Sequence, residues 1–162
     1  MMVLSDAANH LVVSGSASQY AGAAQTITIQ AATSTGDLDN SYEGVKSITL
    51  SGPGASPSGS VAKCRDRLGN DIPIGSPTQL DFVNGQASCQ LFLYKVETTS
   101  VDASDGTLSS AANASYDLDV TVSIASNATL QGRISASPTT AVENDLVTIT
   151  VQATDSLSLI HI

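Results

Sequence analysis

Tryptophan is absent from this sequence, and 162 residues contain only two phenylalanines and four tyrosines. Its core must therefore be built from aliphatic side chains. Platforms for stacking on a sugar ring are equally scarce, and Tyr20, Tyr42 and Tyr94 are the candidates, with Tyr42 better placed to pack at a strand start. Histidine is limited to His10 and His161. Neither lies in a Ser/His/Asp pattern, and no Gly-x-Ser-x-Gly elbow occurs, so no catalytic residue is assigned and no enzyme is expected. Lys and Arg number six against fifteen Asp and Glu, for a net charge of −9. A phosphate backbone needs clustered positive charge, so no nucleic-acid partner is expected. The one basic cluster, Lys63, Arg65 and Arg67, is interrupted by Asp66 and reads as a solvated face. No apolar run approaches the roughly 20 residues that cross a bilayer as a helix, so no membrane span is expected in this fragment. Met1 to Ala8 lacks the basic and apolar regions of a secretory signal.

Serine and threonine fill about a quarter of the chain. With the β-branched residues and glycines they suit pleated surfaces and tight turns rather than helices. Period-2 alternation recurs along the chain. It predicts strands at His10 to Gly15, Gln25 to Ala32, Lys46 to Ser51, Val61 to Arg65, Gln79 to Val83, Gln86 to Tyr94, Thr98 to Ala103 and Tyr116 to Val122. Gly52 to Gly59 is a Gly/Pro/Ser loop. Asn84-Gly85 and Asp105-Gly106 are turn signals of the hairpin type. No long segment carries a helical stripe. The expected fold is all-β, a Greek-key sandwich.

The chain also repeats itself. Thr26–Ala31 reads Thr-Ile-Thr-Ile-Gln-Ala, and Thr148–Ala153 reads Thr-Ile-Thr-Val-Gln-Ala. Position 148 less position 26 gives an offset of 122, which aligns Val12 with Ile134. Such a period is too long for a solenoid unit and fits a whole sandwich domain. The expected organisation is a lead at 1–7, a complete repeat at 8–122 and an incomplete second repeat at 123–155, with its first strands at Gln131 to Ser135 and Leu146 to Ala153. Without a partner sheet, those strands are expected to form a poorly packed appendage in which Val147, Ile149 and Val151 stay exposed. Residues 156–162 resemble a translated sequencing adapter and are expected to be a non-native tail.

Four stretches carry a resemblance to the immunoglobulin-like repeats of large bacterial and archaeal surface proteins, of the invasin/intimin or filamin type. They are His10 to Ser14, Ala21-Gly22 through Ala31, Tyr42-x-Gly44-x-Lys46 into Ile48 to Gly52, and Phe82-x-Asn84-Gly85 into Leu91 to Lys95. Ser34 to Asn40 departs from the Asp-x-x-Gly-Asn turn common in such modules. The resemblance implies an immunoglobulin-like sandwich, an extracellular or cell-surface location, and a role as spacer, stalk or adhesin. Its partners would be neighbouring repeats of the same chain. The alternative is a ligand-binding module for a cell-surface glycan or a host protein.

Three kinds of candidate site remain. Cys64 and Cys89 fall in phase with inward positions; they either bridge, which requires Cα atoms within about 7 Å, or act as two small buried thiols. Two cysteines are too few for zinc. Calcium wants six or more oxygens, and Asp37, Asp39 and Glu43 form the best loop for it. Asp102 and Asp105 at a turn, with Asp117 and Asp119 on a strand, read as a solvated face that blunts edge pairing. Apart from that calcium set, no cofactor is expected. Asn113-Ala114-Ser115 and Asn127-Ala128-Thr129 match the glycan acceptor triplet.

Overall fold

Alternating apolar residues organise the chain into strands in a computed structural model that describes residues 7–125, 131–137 and 148–154. Two compact units divide it, Met1–Ile124 and Ala125–Ile162. In the first unit the strands are β1 (His10–Ser14), β2 (Ser18–Tyr20), β3 (Ala24–Ala32), β4 (Gly44–Ser51), β5 (Lys63–Arg65), β6 (Asp71–Pro73), β7 (Pro77–Phe82), β8 (Gln86–Phe92), β9 (Thr98–Ser104) and β10 (Leu118–Ser123).

They form two five-stranded sheets, ordered β1-β3-β8-β5-β6 and β2-β10-β9-β4-β7. The β3–β4 and β8–β9 connections pass from one sheet to the other, giving a Greek-key sandwich of two layers. Period-2 burial follows each long strand. Leu11 and Val13, Ile27, Ile29 and Ala31, and Ala87, Cys89 and Leu91 face inward from the first sheet. Ile48 and Leu50, Leu80 and Phe82, Val101 and Ala103, and Leu118, Val120 and Val122 face them from the second. All belong to one apolar cluster, and the scarcity of aromatics leaves it aliphatic around the single ring of Phe82. Buried Gln19 is satisfied: its Nε2 donates to the Leu91 carbonyl at 3.0 Å, and its Oε1 accepts from Gln25 Nε2 at 3.0 Å.

The first edge of the molecule changes sheets. β1 pairs antiparallel with β3, and β2 then pairs in parallel with β10. Gly15 stands at the crossing, where a Cβ would lie 2.9 Å from Leu118 Cδ2 and 3.0 Å from Ile27 Cγ2. A side chain there would meet the core just where the strand must pass between layers.

Three sequence expectations are corrected by this arrangement. Asn84-Gly85 does form a tight turn, with φ of 49° and 78° and Val83 and Gln86 bonded to each other, but the strands it joins part into different sheets instead of forming a hairpin. Gly85 is held by its neighbours: its N–H donates to the Tyr42 carbonyl, and its carbonyl accepts from Ala31 N–H. Tyr116 does not open the last strand, which begins at Leu118. It instead ends a short 3-10 turn, Ala114–Tyr116, and stacks on His10 with ring centroids 4.0 Å apart. β2 and β6 were not expected: each has three residues, the inward residue of β2 is the polar Gln19, and β6 contains Pro73.

The second unit contains β11 (Gln131–Ser137) and β12 (Thr148–Thr154), an antiparallel pair. Ile134 stands opposite Val151. In the first unit Ile29, the counterpart of Val151, stands opposite Val13. Ile134 therefore holds the register position of Val13, not of Val12 as the constant offset implied. The β11–β12 connection is one residue longer than the β1–β3 connection, and a one-residue slip exchanges the two faces of a strand. The packing of Val147, Ile149 and Val151, the tail at 156–162, His161 and Asn127 lie outside the described residues.

Candidate functional site

The cysteines are joined. Cys64 on β5 and Cys89 on β8 form a disulfide with Cα atoms 6.0 Å apart. The two strands are neighbours in the same sheet, with Cys64 directly opposite Leu91, so Cys89 lies diagonally across on the same inward face. The bridge thus ties β5 to β8 within one layer rather than spanning the two layers. On the outer face of the same sheet, Arg65 Nε donates to Asp71 Oδ1 at 2.8 Å and Arg65 Nη1 to Gln90 Oε1 at 2.9 Å, with its guanidinium 5.0 Å from the Phe92 ring centre. Arg65 therefore links β5 to β6 and β8. These exposed contacts each contribute little on their own.

The calcium candidates are dispersed. Asp39 is buried, and both of its carboxylate oxygens are occupied. Oδ1 accepts from Ser41 N–H and Ser41 Oγ, and Oδ2 accepts from Ala8 N–H at 2.9 Å. These bonds, the Ser41 hydroxyl first, hold the Asp39 carboxyl below its ordinary range. Asp37 accepts from Thr35 Oγ1 at 2.8 Å, and Glu43 is exposed. Among the described residues, no three acidic, histidine or cysteine side chains gather as metal ligands. Asp39 acts as a local cap that fastens the chain before β1 to the loop before β4.

A second acidic group involves more than a solvated face. Tyr42 packs edge-on against Phe82, with centroids 4.9 Å apart, and its hydroxyl donates to Asp105 Oδ2. The Lys46 ammonium lies 4.6 Å above the Tyr42 ring centre. Burial and the adjacent Asp105 carboxylate push the Tyr42 phenol far up. For Asp105, burial acts upward, but the Tyr42 hydroxyl and the N–H groups of Leu108 and Thr107 outweigh it and hold the carboxyl low. Tyr42 is therefore committed to the core edge; of the other two sugar-stacking candidates, Tyr20 is 52% exposed and Tyr94 is half-buried.

Asp102 and Asp117 form the remaining acidic pair. The β9–β10 register sets Leu118 opposite Val101 and so places these two carboxylates across from each other at the strand ends. Burial, with Asp117 next, raises the Asp102 carboxyl above its ordinary range, against a bond from Ser51 Oγ. Asp117 Oδ1 is buried without a hydrogen-bond partner among the described residues. Asp119, one pleat along, accepts from Ser100 Oγ. Sequence reasoning found these residues but not their opposition, which becomes visible only once the register is known.

Among the described residues, no helix is long and apolar enough to cross a membrane. No family model matches the chain, and no curated protein matches it. Among solved structures, the chain is similar to the surface layer protein SbsC, domains 4-9, at 17% identity, over 92% of this chain and 20% of that one, with a TM-score of 0.36. The chain thus spans about a fifth of the length of that structure.

Proposed function

We propose that this chain is a structural immunoglobulin-like repeat of a secreted or cell-surface protein, a spacer unit without catalysis. One observation carries the reading most directly: the parallel pairing of β2 with β10. Thr121, Val122 and Ser123 stand opposite Ser18, Gln19 and Tyr20. Flanking bonds run from Thr121 N–H to the Ala17 carbonyl at 2.9 Å and from Ala21 N–H to the Ser123 carbonyl at 2.8 Å. Tension between the start of the unit and its end pulls these two strands along their length in opposite directions. The bonds between them are then loaded together instead of being opened one after another. That is the geometry of a unit that holds its length under load.

Three further features support the reading. The Cys64–Cys89 bridge fits an oxidising compartment. The net charge of −9 keeps neighbouring copies apart by mutual repulsion. The second unit also pairs its strands antiparallel, β11 with β12 as β1 with β3, though one residue out of the sequence alignment, which supports a tandem repeat.

The reading is tested by the gene and by the cell. The full gene is expected to encode further sandwiches at a period of about 120 residues, and an antibody against this chain is expected to label intact cells. A single copy joined to a catalytic domain, or labelling that needs permeabilised cells, contradicts it. A glycan array probed with the purified chain is expected to stay blank; specific binding abolished by Tyr20→Ala would make the module adhesive instead.

A further inference from the structure

We propose that Asn113 is an acceptor for N-linked glycan, with the sugar attached at its Nδ2. The triplet Asn113-Ala114-Ser115 has a small residue, not proline, at its centre. It lies in the β9–β10 connection, where residues 111–115 are all exposed and carry no bulky side chain. A transferase approaching Asn113 therefore meets alanine and serine alone on this stretch.

The side chain is also oriented for the reaction. Asn113 Oδ1 accepts from both Ser115 N–H and Ser115 Oγ, each at 3.0 Å. Both donors fix the carboxamide plane, and by polarising the carbonyl they ease loss of the Nδ2 proton that must leave as the new bond forms. Nδ2 then points away from the turn, with no acceptor meeting it among the described residues. The backbone beneath is anchored, since Asn113 N–H donates to the Ser110 carbonyl and Tyr116 N–H to the Asn113 carbonyl. Buried Ser110, the His10–Tyr116 stack and β10 fix the base of the loop. The folded chain thus presents an open acceptor in a set conformation, which an acceptor triplet on a strand or under a neighbouring loop would not.

The donor class is a sugar activated as a lipid-linked pyrophosphate, delivered by an oligosaccharide transferase. Nδ2 attacks the anomeric carbon, and a C–N bond forms. The C–O bond to the pyrophosphate breaks with its electron pair on the phosphate, and one Nδ2 proton passes to a carboxylate of the transferase. Attachment there adds a hydrated, bulky group to the loop between the last two strands of the sandwich. In the cell this step rests on the export assumed in the proposed function.

The test supplies donor and transferase directly, so a negative result leaves the spacer reading standing. Purified, folded, oxidised chain is incubated with transferase-containing membranes and lipid-linked oligosaccharide, and the products are weighed by mass spectrometry. Trypsin releases Val96 to Arg133 as one peptide containing both acceptor triplets, so the variants separate them. The wild-type chain, N127Q and S115T are expected to gain the glycan mass; N113Q and S115A are expected not to gain it while still unfolding cooperatively, with midpoints lowered only by the lost turn bonds. No mass gain in the wild type, equal gain in N113Q, or transfer only to reduced and denatured chain overturns the proposal.

Discussion

Gly85 shows how much a single residue fixes. Its φ is +78°, and a Cβ would stand 2.4 Å from the Asp39 carbonyl oxygen and 3.1 Å from Leu38 Cδ1. Gly36 has a similar φ of +87° with nothing within 4 Å. Both alanine variants carry the left-handed cost of about 1–2 kcal/mol, and only Gly85→Ala adds a backbone collision. We expect Gly36→Ala to lose about 1 kcal/mol and Gly85→Ala at least about 3 kcal/mol by urea denaturation. Equal losses would show that the turn relaxes freely. The turn itself was legible in the Asn-Gly pair. Its lodging against the Asp39 loop was not, because that contact joins segments far apart in the chain.

Carboxylates set the pH response at the same scale. Asp102 is raised, so its ionised form carries a cost that is present above its folded-state pKa and lifts as pH falls through that value. Asp39 and Asp105 are lowered, so their stabilisation is present above the ordinary carboxylate range and is lost as pH falls through their depressed values. Mild acidification therefore relieves the Asp102–Asp117 opposition before stronger acid unfolds the chain. Asp117→Asn lets the amide donate to Asp102, and we expect it to raise stability at neutral pH by about 0.5–1 kcal/mol, the scale of a cross-strand pair. It should also flatten the mildly acidic limb in urea midpoints followed across pH. A variant less stable than the parent at neutral pH would contradict the pairing.

Among elements, the long strands were readable, and of the three-residue strands only β5 was, through the shared phase of Ala62 and Cys64. β3, β7, β8, β9 and β10 alternate over six residues or more, enough for period 2 to stand out. β2 and β6 have three residues each and exist because a neighbour offers a free edge. The cysteine phase was likewise legible, while the choice of β8 as the neighbour of β5 depends on sheet order. The bridge closes a loop with a sequence separation of 25, for which the loss of unfolded-chain entropy amounts to about 3.5 kcal/mol. Reduction, or the Cys64→Ala/Cys89→Ala double variant, is expected to cost about 3 kcal/mol in chemical denaturation. A loss under about 1 kcal/mol would mean that β5 and β6 contribute little to the cooperative fold.

At the scale of the molecule, two sheets of opposed alternation and a late pair of strands were both anticipated by the sequence, because each is a pattern of near neighbours or of self-similarity. The parallel β2–β10 pairing was not, since β2 lies more than a hundred residues before β10 and has too few residues to announce itself. That pairing is the feature on which the proposed spacer role rests. Stretching the single chain by its two ends tests this most directly. The account predicts one cooperative rupture for the first unit, with an added contour length about 80 Å greater in reducing buffer, because reduction frees the 25-residue separation held by the bridge at about 3.5 Å per residue. A chain that extends smoothly at low force, or that releases the same length with the bridge open and closed, would contradict it.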